Sequence, residues 1–95
     1  MRFPSASILI IGRGEACDFR PKSPKVSRKH AVIFLSTSGE VLLRDLGSEN
    51  GTWVNDVRIE ETRVLKAGDK VTLGPVELTW IVEGDNTVLA LEAQL

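Results

Sequence analysis

The sequence contains one cysteine, Cys17, and one histidine, His30, and this scarcity excludes several kinds of site. No disulfide can form within the chain, and a metal centre built from cysteine and histidine lacks ligands. A nucleophilic enzyme needs a base beside its serine or cysteine, and a lone histidine next to a predicted strand more often ties loops together. We therefore expect no enzyme activity, no metal and no cofactor. The single thiol fits a reducing, cytoplasmic setting.

Long apolar runs are also missing. Near the N-terminus the longest is Ile8–Ile11, which is too short for the apolar region of a signal peptide or for a membrane span. We therefore expect no membrane partner. The 42% of hydrophobic residues predicts a packed globule, and 95 residues suffice for a single domain, which we place at residues 1–95.

The net charge of −1 hides a basic segment. Residues 13–29 contain six basic and two acidic residues, whereas residues 30–95 contain five basic and eleven acidic ones. A basic patch on an acidic body predicts a local anionic ligand, and a solvated basic loop without a ligand is the alternative. Nucleic acid is a weaker interpretation because the patch lacks clustered aromatic side chains on which bases could stack.

Short runs rich in valine, isoleucine, leucine and threonine alternate with glycine, asparagine, aspartate and proline, a pattern typical of β-structure. The predicted strands are Ile8–Gly12, Ala31–Leu35, Glu40–Asp45, Thr52–Val54, Val57–Ile59, Lys70–Leu73 and Val76–Val82. Asn55-Asp56 predicts a tight turn, and Thr87–Ala93 could form a strand or a short helix. So many short strands predict an all-β sandwich or small barrel, with loops gathered at the two ends of the sheets.

Two arginines flank predicted strands and could hold an anion. Arg13 follows the first strand and Arg28 precedes the second, so each backbone is anchored while the guanidinium group reaches outward. Guanidinium groups match phosphate oxygens with paired, charge-assisted hydrogen bonds. Ser27 offers a hydroxyl donor in the same loop, and Asn50 offers an amide that both donates and accepts, as binding to a peptide backbone requires.

These residues belong to a set of motifs that closely resembles the signature of the forkhead-associated (FHA) domain. In order, the motifs are Gly12-Arg13, Ser27-Arg28-Lys29-His30 and Ser48-Glu49-Asn50-Gly51-Thr52, with Asn55 three residues further on. Supporting matches are Cys17-Asp18, Asp45-Leu46, Leu65-Lys66-Ala67-Gly68-Asp69 and Leu73-Gly74. The resemblance spans about residues 8–82. Each motif alone is weak, whereas the whole set in this order is specific.

The resemblance implies a β-sandwich of two largely antiparallel sheets whose loops at one end bind a phosphothreonine-containing protein or peptide in kinase-linked signalling. It implies that Arg13 and Ser27 contact the phosphate and that Asn50 hydrogen-bonds the peptide main chain. Arg28 and Lys25 face the ligand by the same resemblance, and Lys25 then favours an acidic residue on the C-terminal side of the phosphothreonine. The residues expected to support the site are Gly12, His30, Gly51, Thr52 and Asn55.

Two features leave alternatives open. Glu49 is a carboxylate where the family often carries a small hydroxyl, so it either repels the phosphate or turns toward Arg28 or Lys29. A phosphate-independent interaction or oligomerisation module on the same fold is therefore the second interpretation. Few residues precede Gly12, so we expect a short first strand or coverage of its sheet edge by Thr87–Ala93. An open edge would allow a weak dimer in place of the expected monomer.

Overall fold

The computed structural model describes residues 8–83 and 86–91, and their strands form two sheets. The strands are β1 (Ile8–Ile11), β2 (Ala31–Leu35), β3 (Val41–Asp45), β4 (Thr52–Val54), β5 (Val57–Arg58), β6 (Thr62–Leu65), β7 (Lys70–Leu73), β8 (Val76–Glu83) and β9 (Asn86–Leu91). One sheet has the order β1-β2-β3-β6 and the other β5-β4-β7-β8-β9, with antiparallel neighbours throughout. This arrangement confirms the predicted all-β sandwich over the barrel.

The core lies between the two sheets, because alternate residues of β1, β2, β4 and β7 point inward. In β1, Leu9 and Ile11 are buried, whereas Ile8 is 51% exposed. In β4, Val54 is buried and Trp53 is half-buried on the outer face. The buried cluster comprises Leu9, Ile11, Val26, Ala31, Ile33, Leu43, Val54, Ile59, Leu65, Val71, Leu73, Leu78 and Trp80. Each large member contributes roughly 1.5–3 kcal/mol relative to exposure, so this seam holds the sandwich together.

Tight turns occupy one end of the sandwich. The register pairs Val54 with Val71, so Asn55 comes to lie beside Lys70. The Nδ2 group of Asn55 donates to Asp69 Oδ1 at 2.9 Å, and its Oδ1 accepts from the Lys70 N–H at 2.9 Å. Asn55 and Asp56 take φ values of 49° and 69°, which these two residue types tolerate.

This placement corrects one expectation. The register pairs Thr52 with Leu73, so Gly51 and Gly74 lie at the other end of these strands from Asn55. Asn55 therefore organises the turns at the far end and does not support the loops that contain Asn50. The sequence motif could not reveal this, because Gly51 and Asn55 are close in sequence. They flank the three-residue strand β4 and therefore lie at its two opposite ends.

Strands β6 and β9 could not be assigned from the local pattern of apolar residues. The sequence predicts no strand at Thr62–Leu65, yet this segment pairs with β3 as the edge of the four-stranded sheet. Only Leu65 in it is buried, so its alternation is weak. The C-terminal segment forms strand β9 and pairs with β8 in the five-stranded sheet, so the expectation that it covers the edge of β1 is wrong. Residues 92 and 93 of that predicted element lie outside the described residues.

Part of the outer edge of β1 is covered by the turn that follows this strand. The N–H groups of Asp18 and Phe19 donate to the Ile10 carbonyl at 2.8 and 3.1 Å, and the Gly12 N–H donates to the Phe19 carbonyl at 3.1 Å. The Ile10 N–H donates to Asp18 Oδ2 at 2.8 Å. These bonds occupy the backbone groups that an unpaired edge would offer to another protein.

None of the described residues belongs to a helix with the length and apolar character needed to cross a membrane.

Candidate functional site

Three connections meet at the end of the sandwich opposite Asn55, namely residues 12–30, 46–51 and 74–75. In the first connection, the residues that follow β1 lie side by side with the residues that precede β2. The Arg13 N–H donates to the Ser27 carbonyl at 3.0 Å, and the Gly14 N–H donates to the Arg28 carbonyl at 3.1 Å. Residues that are distant in sequence are thereby placed side by side at the surface.

Gly12 permits this close approach. A Cβ atom at position 12 would lie 2.1 Å from the Arg28 carbonyl oxygen and 2.9 Å from the Ser27 carbonyl oxygen. Any larger residue would therefore separate the two backbone segments that carry Arg13 and Ser27.

The Arg13 side chain is exposed, but its orientation is set by the backbone. Its Nε–H donates to the Val26 carbonyl oxygen. A guanidinium group has five N–H donors in a planar fork, so the four on the two terminal nitrogens stay available for a ligand. A fork held in this way loses less side-chain entropy when an anion binds.

Ser27 and Glu49 join the first connection to the second. Ser27 Oγ accepts a hydrogen bond from the Glu49 N–H at 3.0 Å, which leaves the serine hydroxyl hydrogen free to donate outward. Glu49 is exposed, and within the described part of the protein it forms no ion pair with Arg28 or Lys29. Of the two alternatives for Glu49, an ion pair with Arg28 or Lys29 is therefore not found among these residues.

Asn50 is anchored to the opposite side of the same connection. Its Nδ2 group donates to the Lys25 carbonyl at 2.7 Å, so one N–H and the Oδ1 acceptor remain free. Gly74 packs here, because a Cβ at this position would lie 3.2 Å from the Lys25 carbonyl oxygen and 3.4 Å from Asn50 Cβ. The Lys25 side chain is exposed beside this anchor.

His30 lies beneath these residues and is fully buried. Its Nδ1 accepts the Ser27 N–H at 3.0 Å, so the ring hydrogen resides on Nε2, which donates to the Gly51 carbonyl at 2.7 Å. One imidazole thus bridges the loop of Ser27 and the loop of Asn50. Because backbone groups engage both ring nitrogens, His30 is not presented to a substrate as a base.

Asp45 is a residue of the site that the sequence motifs did not identify as supporting it. Its Oδ1 accepts from Ser48 Oγ at 2.5 Å and from Thr52 Oγ1 at 2.7 Å. Its Oδ2 accepts the N–H groups of Gly47 and Ser48 at 3.0 and 3.1 Å. An aspartate that precedes Gly and Ser at a strand end is a signal for such a turn.

The same contacts shift the acidity of Asp45. Partial burial alone would raise its pKa, but the hydrogen bonds from the Ser48 and Thr52 hydroxyls and from the backbone outweigh this, so the pKa of Asp45 lies below its ordinary value of 3.8. Thr52, the buried supporting residue predicted from the motif, acts through this carboxylate. The charged form of Asp45 therefore shapes the loop that carries Asn50.

Arg28 is exposed and shares a surface depression with Arg13 and Arg20. Its carbonyl is turned inward, where it accepts from Cys17 Sγ at 3.0 Å. The structure therefore brings together Arg13, Ser27 and Arg28. The Glu49 N–H ties Ser27 to the connection that carries Asn50, and the Asn50 side chain binds the Lys25 carbonyl. Within the described residues, no group of three or more His, Cys, Asp or Glu side chains could hold a metal ion.

The comparisons with known proteins agree with one another. The family model of the FHA domain matches residues 9–74. FhaA, an FHA domain-containing protein of Mycobacterium tuberculosis, is 44% identical over 70 residues, which cover 73% of this chain and 13% of FhaA. The FHA-2 domain of the Mycobacterium tuberculosis ABC transporter Rv1747 has a TM-score of 0.76 at 32% identity, covering 97% of this chain and 79% of that one.

A third relative was solved with a ligand. The N-terminal FHA domain of Saccharomyces cerevisiae Rad53p, in complex with a phosphothreonine peptide, has a TM-score of 0.66 at 35% identity and covers 87% of this sequence and 64% of its own. This chain spans between 2% and 13% of the length of the curated relatives that it matches. The match to the family model covers more than half of the sequence and includes all three connections of the site as far as Gly74. The chain therefore belongs to the FHA domain family.

Proposed function

We propose that this domain binds phosphothreonine-containing proteins or peptides and acts as a recognition module in kinase-linked signalling. The observation that carries the proposal is the set of donors left free on anchored side chains: the terminal nitrogens of Arg13, the hydroxyl of Ser27 and the amide of Asn50. Each of these groups uses one hydrogen bond to fix its position and keeps others for a ligand.

Arg13 and Ser27 hold the phosphate. A phosphothreonine carries about −1.5 to −2 charges and three acceptor oxygens at neutral pH. The terminal nitrogens of Arg13 donate to two of these oxygens, and the Ser27 hydroxyl donates to another. Charge-assisted bonds of this kind are roughly twice as strong as neutral ones, so the phosphate dominates the affinity. Arg28 adds positive charge at the rim.

Asn50 reads the main chain next to the phosphorylated residue. Its free N–H and Oδ1 match the C=O and N–H of a peptide group, and the bond to the Lys25 carbonyl keeps the amide from rotating. Lys25 then places its ammonium group beside the ligand. Recognition of an acidic phosphopeptide through arginines is a recurrent mode of peptide binding.

The domain works as a binding module without catalysis, metal or cofactor, and it acts as a monomer in the cytoplasm. The buried free thiol of Cys17 suits a reducing compartment. The bonds from Asp18 and Phe19 to β1 oppose pairing through that edge.

The test is a titration of the domain with a phosphothreonine peptide and its unphosphorylated counterpart. Arg13→Ala and Ser27→Ala should each weaken phosphopeptide binding at least about tenfold, since each removes a charge-assisted bond. Lys66→Ala is the matched control, because it removes one positive charge from an exposed turn at the far end. Equal affinity for the two peptides would refute the proposal.

A second candidate is a phosphate-independent interaction module. The specific observation behind it is Glu49, whose backbone binds Ser27 while its carboxylate has no cationic partner among the described residues. A negative charge beside the anchor disfavours a phosphate. Binding of a partner protein that survives phosphatase treatment, and that persists in Arg13→Ala, would support this candidate over the first.

A further inference from the structure

The basic segment holds more positive charge than a single phosphate requires. Arg13, Arg20 and Arg28 line one surface depression together with Gly14 and Glu15. Arg13 and Arg20 also line a neighbouring depression, whose other walls are Pro21, Lys22, Ser23 and Pro24. We call the two together the arginine depression. Ser27 and Asn50 line neither part, so it extends from Arg13 beyond the phosphate anchor.

Among the described residues, the cations of the arginine depression form no ion pair. Both ion pairs found in the described part of the chain involve Lys70 of the other sheet, whose Nζ lies 2.9 Å from Asp56 Oδ1 and 3.9 Å from Glu77 Oε1. Glu15 lines the depression without forming an ion pair there. Like charges held close together repel each other, and a bound anion relieves that repulsion.

The local backbone presents these cations in a defined way. Arg20 Nη2 donates to the Arg13 carbonyl at 3.3 Å, which holds its guanidinium group against the strand end while its other N–H groups stay free. The Ser23 N–H donates to the Pro21 carbonyl at 3.0 Å, and Pro21 is buried. A proline on each side of Lys22 and Ser23 restricts the backbone, so little conformational freedom is lost on binding.

We propose that the arginine depression binds a second anionic group on the same phosphopeptide, with Arg20 and Lys22 as its contacts. The inference rests on the proposed function, because Arg13 is shared between the phosphate anchor and the depression. The ligand class is a peptide with one phosphothreonine and, a few residues away, either a second phosphorylated side chain or a carboxylate. Arg28 lines the depression together with Arg13 and Arg20, so its positive charge favours both anions.

The experiment measures an affinity ratio. A parent peptide carries one phosphothreonine and neutral residues elsewhere, and a series places one phosphoserine or one glutamate at each position on either side of it. At about 0.15 M salt, where charges more than roughly 8 Å apart are screened, we expect a window of positions that tightens binding. The gain should be about tenfold for phosphoserine and about threefold for glutamate, which separates the two sources of the anion.

Variants of the protein test whether the arginine depression causes the gain in affinity for the doubly anionic peptide. In Arg20→Ala combined with Lys22→Ala, the affinity ratio of the doubly anionic to the parent peptide should fall to near one. Lys22→Glu alone, which leaves the bond from Arg20 to the Arg13 carbonyl intact, should invert the preference for glutamate in the same window. Lys66→Ala should keep the wild-type ratio.

The outcomes separate the two proposals. A parent peptide that binds while no position tightens binding would overturn this inference alone, as would a gain that survives in the double variant or is lost equally in Lys66→Ala. A parent that binds no better than its unphosphorylated form would overturn both proposals. A peptide that carries only the second anion, with an unmodified threonine, should bind weakly. If it bound as tightly as the doubly anionic peptide, the inference would also be overturned.

Discussion

The backbone N–H of Glu49 donates to Ser27 Oγ across 3.0 Å and joins two loops whose residues are 22 apart in sequence. The bond has two consequences. It orients the serine so that its hydroxyl hydrogen points away from Glu49, and it keeps an acidic residue next to the proposed phosphate anchor. The orientation of the serine hydroxyl favours phosphate binding, whereas the carboxylate of Glu49 opposes it. A substitution that removes the carboxylate and keeps the backbone bond distinguishes the two effects.

Glu49→Gln removes the charge and keeps the backbone N–H that binds Ser27. Phosphopeptide affinity should rise about two- to fivefold, as expected for the removal of one like charge near a phosphate at the protein surface. Isothermal titration measures the change. Glu40→Gln is the control, since it removes the same charge in the exposed turn before β3 while keeping an acceptor for Ser38. Unchanged or weaker binding in Glu49→Gln would show that the carboxylate does not face the phosphate.

Lys25→Glu tests whether Lys25 selects the side chain of a ligand residue on the C-terminal side of the phosphothreonine. The Lys25 carbonyl is held by Asn50, so the substitution changes the side chain while the anchor stays in place. A peptide library should show an acidic preference C-terminal to the phosphothreonine for the native domain, and a basic preference at the same position for the variant. The expected change at that position is about tenfold. A library without any acidic preference there would refute the role of Lys25.

Gly51→Ala should be more destabilising than Gly39→Ala, although the two glycines have φ values of +85° and +88°. The backbone cost is shared and amounts to roughly 1–2 kcal/mol. At Gly51 the new Cβ would also lie 2.8 Å from the Trp53 ring, whereas at Gly39 it would meet nothing within 4 Å. Urea unfolding should show about 1–3 kcal/mol more destabilisation for Gly51→Ala. Equal losses would mean that Trp53 moves aside freely.

Asp45 should make the stability of the domain depend on acid. Its pKa is lower in the fold than in the unfolded state, so its contribution is fully present above the ordinary value of 3.8 and is lost as the pH falls through the folded value. The difference in unfolding free energy between the native domain and Asp45→Asn should therefore shrink between about pH 7 and about pH 3. Glu61→Gln, at an exposed position, should show no such pH dependence. A constant difference for Asp45→Asn would contradict the lowered pKa.

Most strands were predictable because short runs of apolar and β-branched residues stand between glycine, asparagine, aspartate and proline. Lys70–Leu73 also alternates, with Val71 and Leu73 buried, and its bounds are as predicted. The strand predicted at Glu40–Asp45 is observed at Val41–Asp45. Thr62–Leu65 was missed because an edge strand buries few side chains and carries a weak pattern. Asn86–Leu91 was ambiguous because a short apolar run suits a helix as well as a strand, and only its pairing with β8 decides.

The sequence by itself determined the residue types of the site, since Arg13, Ser27 and Asn50 have the chemistry and the spacing of the family motifs. Tertiary structure decided which groups meet. The register of β4 with β7 sends Asn55 to the far end, and the return of the first connection along β1 brings Arg20 against the Arg13 carbonyl. Such contacts depend on hydrogen bonds between segments far apart in the sequence, and no local pattern of residues encodes them.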